Sequence, residues 1–170
     1  MRSGDSLLDI GGGVGTIHHV LLDDGVAGAT HLDASRGYLD VAREEAAKRG
    51  HADRVRFLFG DFIAVAESLP AADIVTLDRV ICCYPDMETM VLRAAEKTRR
   101  VLGAVYPRET WWVKVGIAVE NTMSRIRKSA FRVYLHSPVA IEKRFEESGL
   151  KRVSRQRTAI WEVAVFERPA

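Results

Sequence analysis

The sequence contains little cysteine and no long apolar run. Its two cysteines are neighbours, Cys82 and Cys83, among 170 residues. Adjacent cysteines cannot link distant parts of a fold and do not form a metal site by themselves, so we expect a reducing compartment and a cytoplasmic location. A membrane-spanning helix requires about 18 or more consecutive apolar residues. No such stretch occurs in the sequence, and we therefore expect neither a membrane span nor a signal peptide.

The sequence also lacks an excess of charge of one sign. Lysine and arginine number 25 against 23 aspartate and glutamate residues, which gives a formal net charge of +2. Proteins that bind nucleic acids usually carry a strongly basic patch. The basic residues of the C-terminal half are interleaved with Glu142, Glu146 and Glu147, so we interpret them as a solvated face and expect no nucleic-acid partner.

The order of the elements predicts the fold class. Apolar runs typical of strands alternate with amphipathic runs typical of helices, which indicates an α/β fold: one Rossmann-like, doubly wound domain over residues 1–170 with a mostly parallel seven-stranded sheet. The last two strands, at about 150–158 and 160–168, follow so closely that they must form an antiparallel hairpin. A helical insertion is expected at about 110–136, since apolar residues recur there at helical spacing: Trp112, Val115, Val119, Met123 and Ile126.

A glycine-rich loop, DIGGGVG at residues 9–15, follows the first predicted strand. Ligands of open parallel sheets bind beyond the carboxyl ends of the strands, which is where this loop emerges. A nicotinamide or flavin loop would have a third small residue where Thr16 stands, and a phosphate-binding loop would require a nearby lysine. The loop offers a carboxylate and no cation, so a positively charged ligand fits better. An NAD(P)-binding Rossmann protein remains the alternative.

This loop resembles the first motif of class I S-adenosylmethionine-dependent methyltransferases. The motif is an acidic residue followed by glycines at alternate positions, here Asp9, Gly11, Gly13 and Gly15. The resemblance extends over nearly the whole chain and implies S-adenosyl-L-methionine as the cofactor. It further implies that Asp33 holds the ribose hydroxyls, that Asp61 and Phe62 contact the adenine, and that the backbone near Asp78 and Arg79 faces the methionyl end.

The resemblance implies methyl transfer to a small-molecule acceptor, and we expect the accepting atom to be oxygen. The sulfonium already carries an activated methyl group, so alignment supplies much of the catalysis. Tyr84 and His136 are the candidates for substrate contact or proton transfer, although a packing role is open for each. His18 and His19, on the first predicted helix, have no acidic partner at ligand spacing. We therefore expect no metal, and we expect one of these two histidines to face solvent.

The C-terminal part of the chain, from FRVYLHSP to WEVAVFER, is similar to magnesium-protoporphyrin O-methyltransferases. Those enzymes carry one or two helices before the first strand, where they form part of the lid. The first predicted strand here begins about six residues from Met1, so we expect that the lid helices are lacking and that either the site is open or an element that covers it is missing. A cofactor-binding module without turnover is the alternative, and the sequence predicts no oligomeric state.

Overall fold

The computed structural model describes residues 4–169, in which seven strands form one sheet. The strands are β1 (Ser6–Ile10), β2 (Gly28–Asp33), β3 (Val55–Phe59), β4 (Ala72–Asp78), β5 (Thr98–Pro107), β6 (Lys151–Arg157) and β7 (Trp161–Glu167). The helices are α1 (Thr16–Asp23), α2 (Arg36–Lys48), α3 (Phe62–Val65), α4 (Met87–Glu96), α5 (Trp111–Ile126) and α6 (Pro138–Glu147).

The sheet has the strand order β3-β2-β1-β4-β5-β7-β6. The first five strands are parallel, and β7 runs antiparallel to both β5 and β6. This confirms the predicted doubly wound sheet with its antiparallel C-terminal hairpin. The chain moves outward from β1 to β3 and then returns to β4, so the carboxyl ends of β1 and β4 lie side by side at the switch point where such sheets bind ligands.

Short polar side chains fix where three helices begin. Ser35 accepts a hydrogen bond from the amide of Tyr38 at the start of α2, and Asp86 accepts one from the amide of Thr89 at the start of α4. Asp61 does the same for the first turn of α3. Each satisfies a backbone donor that has no partner within its helix. Two of these caps, at Ser35 and Asp61, follow directly after strands and therefore set the shape of the sheet's carboxyl edge.

The two faces of the sheet are packed unequally. The larger core lies on the face covered by α3, α4 and α6, where Leu77, Tyr106, Phe145 and Phe166 are fully buried. A smaller core packs α1 against β1 and β2 on the other face. On that second face, valines of β5 and β7 are half-buried and border an open cavity of about 340 Å³ beside α1.

Helix α5 is held away from the core. The predicted helix is present, but its apolar stripe is not buried: Trp112, Val115, Val119, Met123 and Ile126 are 44–70% exposed. Val113 is the apolar residue that anchors the helix, and the indole N–H of Trp112 donates to the Ala159 carbonyl. Among the helices within residues 4–169, none is both long and apolar enough to cross a bilayer.

Candidate functional site

The glycine loop turns sharply over the end of β1. The amides of Gly11 and Gly12 both donate to the Leu32 carbonyl of β2, which ties the loop to the neighbouring strand. Gly11, Gly13 and Gly15 have φ angles of 63°, 57° and 91°, a region that other residues rarely adopt. At Gly11 a Cβ atom would also lie 2.5 Å from Val80 Cγ2. The three alternate glycines are thus required by backbone shape.

Asp33, which is predicted to bind the ribose hydroxyls, also stabilises the shape of this loop. Its Oδ2 accepts the amide of Gly13 at 2.9 Å and its Oδ1 accepts the amide of Ser35 at 2.7 Å. The side chain is 8% exposed, so part of the carboxylate still reaches the surface of the loop. Asp33 does not cap α2, because Ser35 does. Binding of a ribose by Asp33 stays a prediction, and the structure adds that the same carboxylate holds the loop in shape.

A cleft of about 240 Å³ opens beside the loop, at the carboxyl ends of β1, β2 and β4. It brings together five of the residues singled out in the sequence, since its lining includes Gly11, Asp33, Asp61, Phe62 and Tyr84. Their common position results from the parallel sheet, which places the ends of successive strands at one edge. The cleft therefore combines two carboxylates with apolar walls.

The Asp61 carboxylate is exposed at the mouth of the cleft and is already oriented. Its Oδ1 accepts the amide of Ile63, and its Oδ2 accepts the Tyr84 hydroxyl at 2.9 Å. Partial burial and this carboxylate raise the pKa of Tyr84 to about 12. Tyr84 is consequently a phenol at neutral pH and acts as a hydrogen-bond donor. Phe62 is 4% exposed and forms part of the larger core as well as the cleft wall.

His136 reaches the same region from the segment that follows α5. Its Nε2 lies 2.8 Å from the backbone carbonyl of Tyr84. A carbonyl oxygen accepts and cannot donate, so Nε2 carries the proton and, in the neutral ring, Nδ1 is unprotonated. The neighbouring backbone is fixed in the same way, because the Tyr134 amide donates to the Cys82 carbonyl at 2.7 Å. His136 is half-buried.

Asp78 and Arg79 lie beyond the glycine loop, outside the lining of the 240 Å³ cleft. The Asp78 carboxylate accepts two hydrogen bonds from the Arg79 guanidinium, at 3.1 and 2.9 Å, and Asp78 borders the 340 Å³ cavity. Arg79 has a φ of 58°, an uncommon conformation for a residue with a side chain. The Arg79 amide donates to the Val105 carbonyl of β5, which holds the strained residue in place.

Asp9 lies beneath the glycine loop, with its side chain fully buried. In this conformation the carboxylate does not reach the cleft. Its Oδ1 accepts the Thr76 hydroxyl at 2.7 Å, and its Oδ2 lies 3.2 Å from His18 Nδ1 and 3.5 Å from His31 Nδ1. Burial raises its pKa, but hydrogen bonds from His18, His31 and Thr76 outweigh that effect and hold the pKa below its usual range. Asp9 is therefore an ionised group within a buried polar cluster.

Four histidines are buried near α1, a feature that the sequence did not predict: His18, His19, His31 and His51 are 0–5% exposed. Of these, His18 and His31 contact the Asp9 carboxylate. The expectation that His18 or His19 faces solvent is therefore wrong, because α1 packs both against β2 and the residues after α2. His19 Nδ1 lies 3.0 Å from His51 Nδ1, and His51 Nε2 lies 3.1 Å from Asp23. The sequence showed no acidic partner at ligand spacing from His18. In the fold this partner is Asp9 of β1.

The comparisons agree with this architecture. A family model described as a methyltransferase domain matches residues 1–159. A search of curated proteins gave no significant match. Among solved structures, magnesium protoporphyrin IX methyltransferase from Synechocystis with bound S-adenosylhomocysteine has a TM-score of 0.78 at 20% identity, covering 98% of this chain and 75% of that one.

Two further solved structures are similar. An O-methyltransferase family protein from Burkholderia thailandensis has a TM-score of 0.79 at 16% identity, over 98% of this chain and 51% of that one. A 4+2 cyclase has a TM-score of 0.75 at 12% identity, over 100% and 76%. One fold thus carries more than one named activity in these neighbours.

Proposed function

The chain belongs to the methyltransferase domain family, whose class I members use S-adenosyl-L-methionine, and from this premise we propose that it methylates an oxygen atom of a small-molecule acceptor. The observation that carries the proposal is the contact of His136 Nε2 with the backbone carbonyl of Tyr84, a residue that lines the cleft. The chain acts in this proposal as one cofactor-binding domain in which α5 and the segment after it form the acceptor side. A cytoplasmic location remains a prediction from cysteine usage.

The cofactor lies along the carboxyl edge of the sheet in this proposal. The glycine loop lets the backbone approach the cofactor closely, Asp33 accepts the ribose hydroxyls, and Asp61 and Phe62 contact the adenine. Two features support this placement: Asp33 and Asp61 line one cleft, and their carboxylates are fixed by backbone amides. The backbone at Asp78 and Arg79 takes the methionyl end. Asp9 supports the loop from below.

His136 is the general base in this proposal. The hydrogen bond from Nε2 to the Tyr84 carbonyl leaves Nδ1 as the proton acceptor. Histidine is the side chain that most often serves as a general base, and here it would take the proton from an acceptor hydroxyl as the methyl group arrives. Tyr84, by contrast, stays protonated because its pKa is raised to about 12. Its role is to hold Asp61 against the adenine, so it is a positioning residue.

The choice of oxygen has two supports. An alcohol or phenol must lose its proton on methylation and benefits from a base, whereas a carboxylate does not. Among the structural neighbours, three are named as O-methyltransferases. Trp111 and Trp112, at the start of α5, are exposed, and in this proposal they suit a flat apolar acceptor.

The test is formation of S-adenosylhomocysteine by the full chain against matched alcohols, phenols, carboxylates and amines. With a hydroxylated acceptor, His136→Gln is expected to lower kcat by about 100-fold or more while cofactor affinity stays constant, since general-base catalysis typically contributes that much. Tyr84→Phe is expected to weaken cofactor binding instead, and Tyr38→Phe, at an exposed tyrosine of α2, is the matched control. Turnover of amines alone would refute oxygen as the accepting atom, and an unchanged kcat in His136→Gln would remove the base.

A second candidate is a protein that binds the cofactor but transfers no methyl group. The similarity to a 4+2 cyclase favours it, because that neighbour matches the whole of this chain yet is named for another reaction. Tight S-adenosyl-L-methionine binding in calorimetry, without S-adenosylhomocysteine formation for any acceptor, would support this candidate over methyl transfer.

A further inference from the structure

We propose that Asp9, His18 and His31 form a binding site for one divalent transition-metal ion of the zinc type, beneath the glycine loop. The three side chains come from three different elements, β1, α1 and β2, and all are fully buried. None of the cofactor contacts proposed above requires this cluster to contain histidine. The cluster is therefore a feature of this chain that methyl transfer leaves unexplained.

The three donor atoms converge on one point. His18 Nδ1 and His31 Nδ1 are 3.0 Å apart, and they lie 3.2 and 3.5 Å from the same oxygen, Asp9 Oδ2. Metal–donor bonds of about 2.1 Å with tetrahedral or octahedral angles separate neighbouring donors by roughly 3.0–3.4 Å. The triangle formed by these atoms therefore has the dimensions of a coordination sphere without any rearrangement of the side chains.

A metal cation can accept the lone pairs of all three donor atoms, whereas protons cannot. If both imidazoles donate an Nδ1 proton to Asp9 Oδ2, the two N–H groups face each other, because the Nδ1 atoms are only 3.0 Å apart; if only one donates, the lone pair of the other Nδ1 faces its neighbours at 3.0–3.5 Å. Within residues 4–169 no lysine or arginine forms an ion pair with Asp9. A single divalent ion accepts all three lone pairs at once and supplies the positive charge that a buried carboxylate requires.

The donor set indicates which ion binds. Two imidazole nitrogens and one carboxylate oxygen suit zinc, cobalt, iron or nickel, whereas magnesium and calcium prefer oxygen ligands. Thr76 supports the carboxylate from outside the triangle, because its hydroxyl donates to Asp9 Oδ1 at 2.7 Å and leaves Oδ2 for the ion. Such outer contacts fix ligand orientation at metal centres.

The glycine loop leaves room for this arrangement. A Cβ atom at Gly12 would lie 2.6 Å from His31 Nδ1 and closer still to Asp9 Oδ2. At Gly15, a Cβ atom would lie 2.8 Å from His18 Nε2. The loop thus rests directly on the donor residues, and a bound ion would fix the loop from the side opposite the cleft.

The experiment uses the full chain treated with a chelator and then incubated with Co²⁺, which reports inner coordination through its visible absorption. We expect one equivalent of Co²⁺ to bind and Zn²⁺, but not Mg²⁺, to displace it. His18→Gln and His31→Gln are expected to weaken Co²⁺ binding by more than about 100-fold, and Thr76→Val by about tenfold, the size typical of an outer-shell contact. His51→Gln, a buried histidine outside the triangle, is the matched control and should bind normally.

The proposal fails if the wild-type chain binds no stoichiometric Co²⁺, or if His18→Gln and His31→Gln bind it as tightly as His51→Gln. Should the two ligand variants not fold by circular dichroism, the wild-type chain alone decides. Its melting temperature is expected to rise by several degrees in Zn²⁺ relative to chelator, and an unchanged melting temperature would overturn the proposal.

Discussion

Gly12 occupies an unspecified position of the alternating glycine motif, yet the structure predicts that Gly12→Ala is among the most damaging changes in the loop. Its φ is not in the left-handed region, so backbone strain plays no part. The added Cβ would lie 2.6 Å from His31 Nδ1 and closer to Asp9 Oδ2. Both side chains are fully buried, so neither can move into solvent. The loop or the cluster must therefore shift.

The magnitude follows from two effects. Overpacking a rigid core typically costs about 1–3 kcal/mol, and disturbing the buried hydrogen bonds of Asp9 adds about 1–3 kcal/mol. We expect a total near 3 kcal/mol, which for a domain of this size lowers the melting temperature by about 6–12 °C. Gly13→Ala is the matched control: its φ is 57° but nothing lies within 4 Å of a Cβ there, so only about 1 kcal/mol of left-handed strain is expected.

Thermal unfolding followed by circular dichroism at neutral pH measures both variants. A smaller effect of Gly12→Ala in a His31→Ala background would show that the damage comes from this contact. Melting temperatures of Gly12→Ala and Gly13→Ala within about 2 °C of each other would refute the reasoning.

Three more contacts have measurable consequences. Asp33→Ala removes the acceptor for the amides of Gly13 and Ser35 and the predicted acceptor of the ribose hydroxyls, so cofactor affinity in calorimetry should fall by about tenfold or more; unchanged affinity would reject its role. The pKa of Tyr84 is raised above its unfolded value of 10.0 to about 12, so its stabilising contribution is complete below pH 10 and is lost as the pH rises through 12. In urea unfolding, the gap between wild type and Tyr84→Phe should therefore shrink above pH 10, and parallel curves would contradict this. Glu162 is 2% exposed and paired with two arginines of the hairpin; burial raises its pKa, but these pairs lower it overall. Glu162→Gln should be less stable at pH 7 and lose less stability below pH 4.5, whereas identical acid profiles would rule the contribution out.

The sequence was sufficient where local chemistry decides the structure. Asp33 and Asp61 follow apolar strands, and the parallel sheet places such strand ends at one edge, so their common cleft could be predicted. Tyr84 could be predicted for the same reason, but its hydrogen bond to Asp61 could not. The Tyr84 hydroxyl meets Asp61 across 23 positions of sequence, a contact that depends on how the turn after β4 folds back.

The histidine cluster could not be predicted from spacing, because its members meet only through the register of two strands. Asp9 is paired with His31 in the parallel β1–β2 ladder, and paired residues of neighbouring strands point to the same face. The available signal was a polar residue inside each of two apolar strands. The exposure of the apolar stripe of α5 could not be predicted either, since helical spacing of apolar residues predicts a helix but does not identify what covers it.

Because α5 is weakly attached, we expect it to open locally faster than the sheet unfolds. A 16-residue helix is marginal in water without tertiary contacts, and most of the stripe that would supply them faces solvent. Its amides should exchange with deuterium far sooner than those of β4 and β5, and its backbone should be among the first places a protease cuts. In the proposed function, the acceptor side then opens and re-forms many times before the sheet unfolds once, so acceptor and product can exchange while the cofactor-binding edge stays folded.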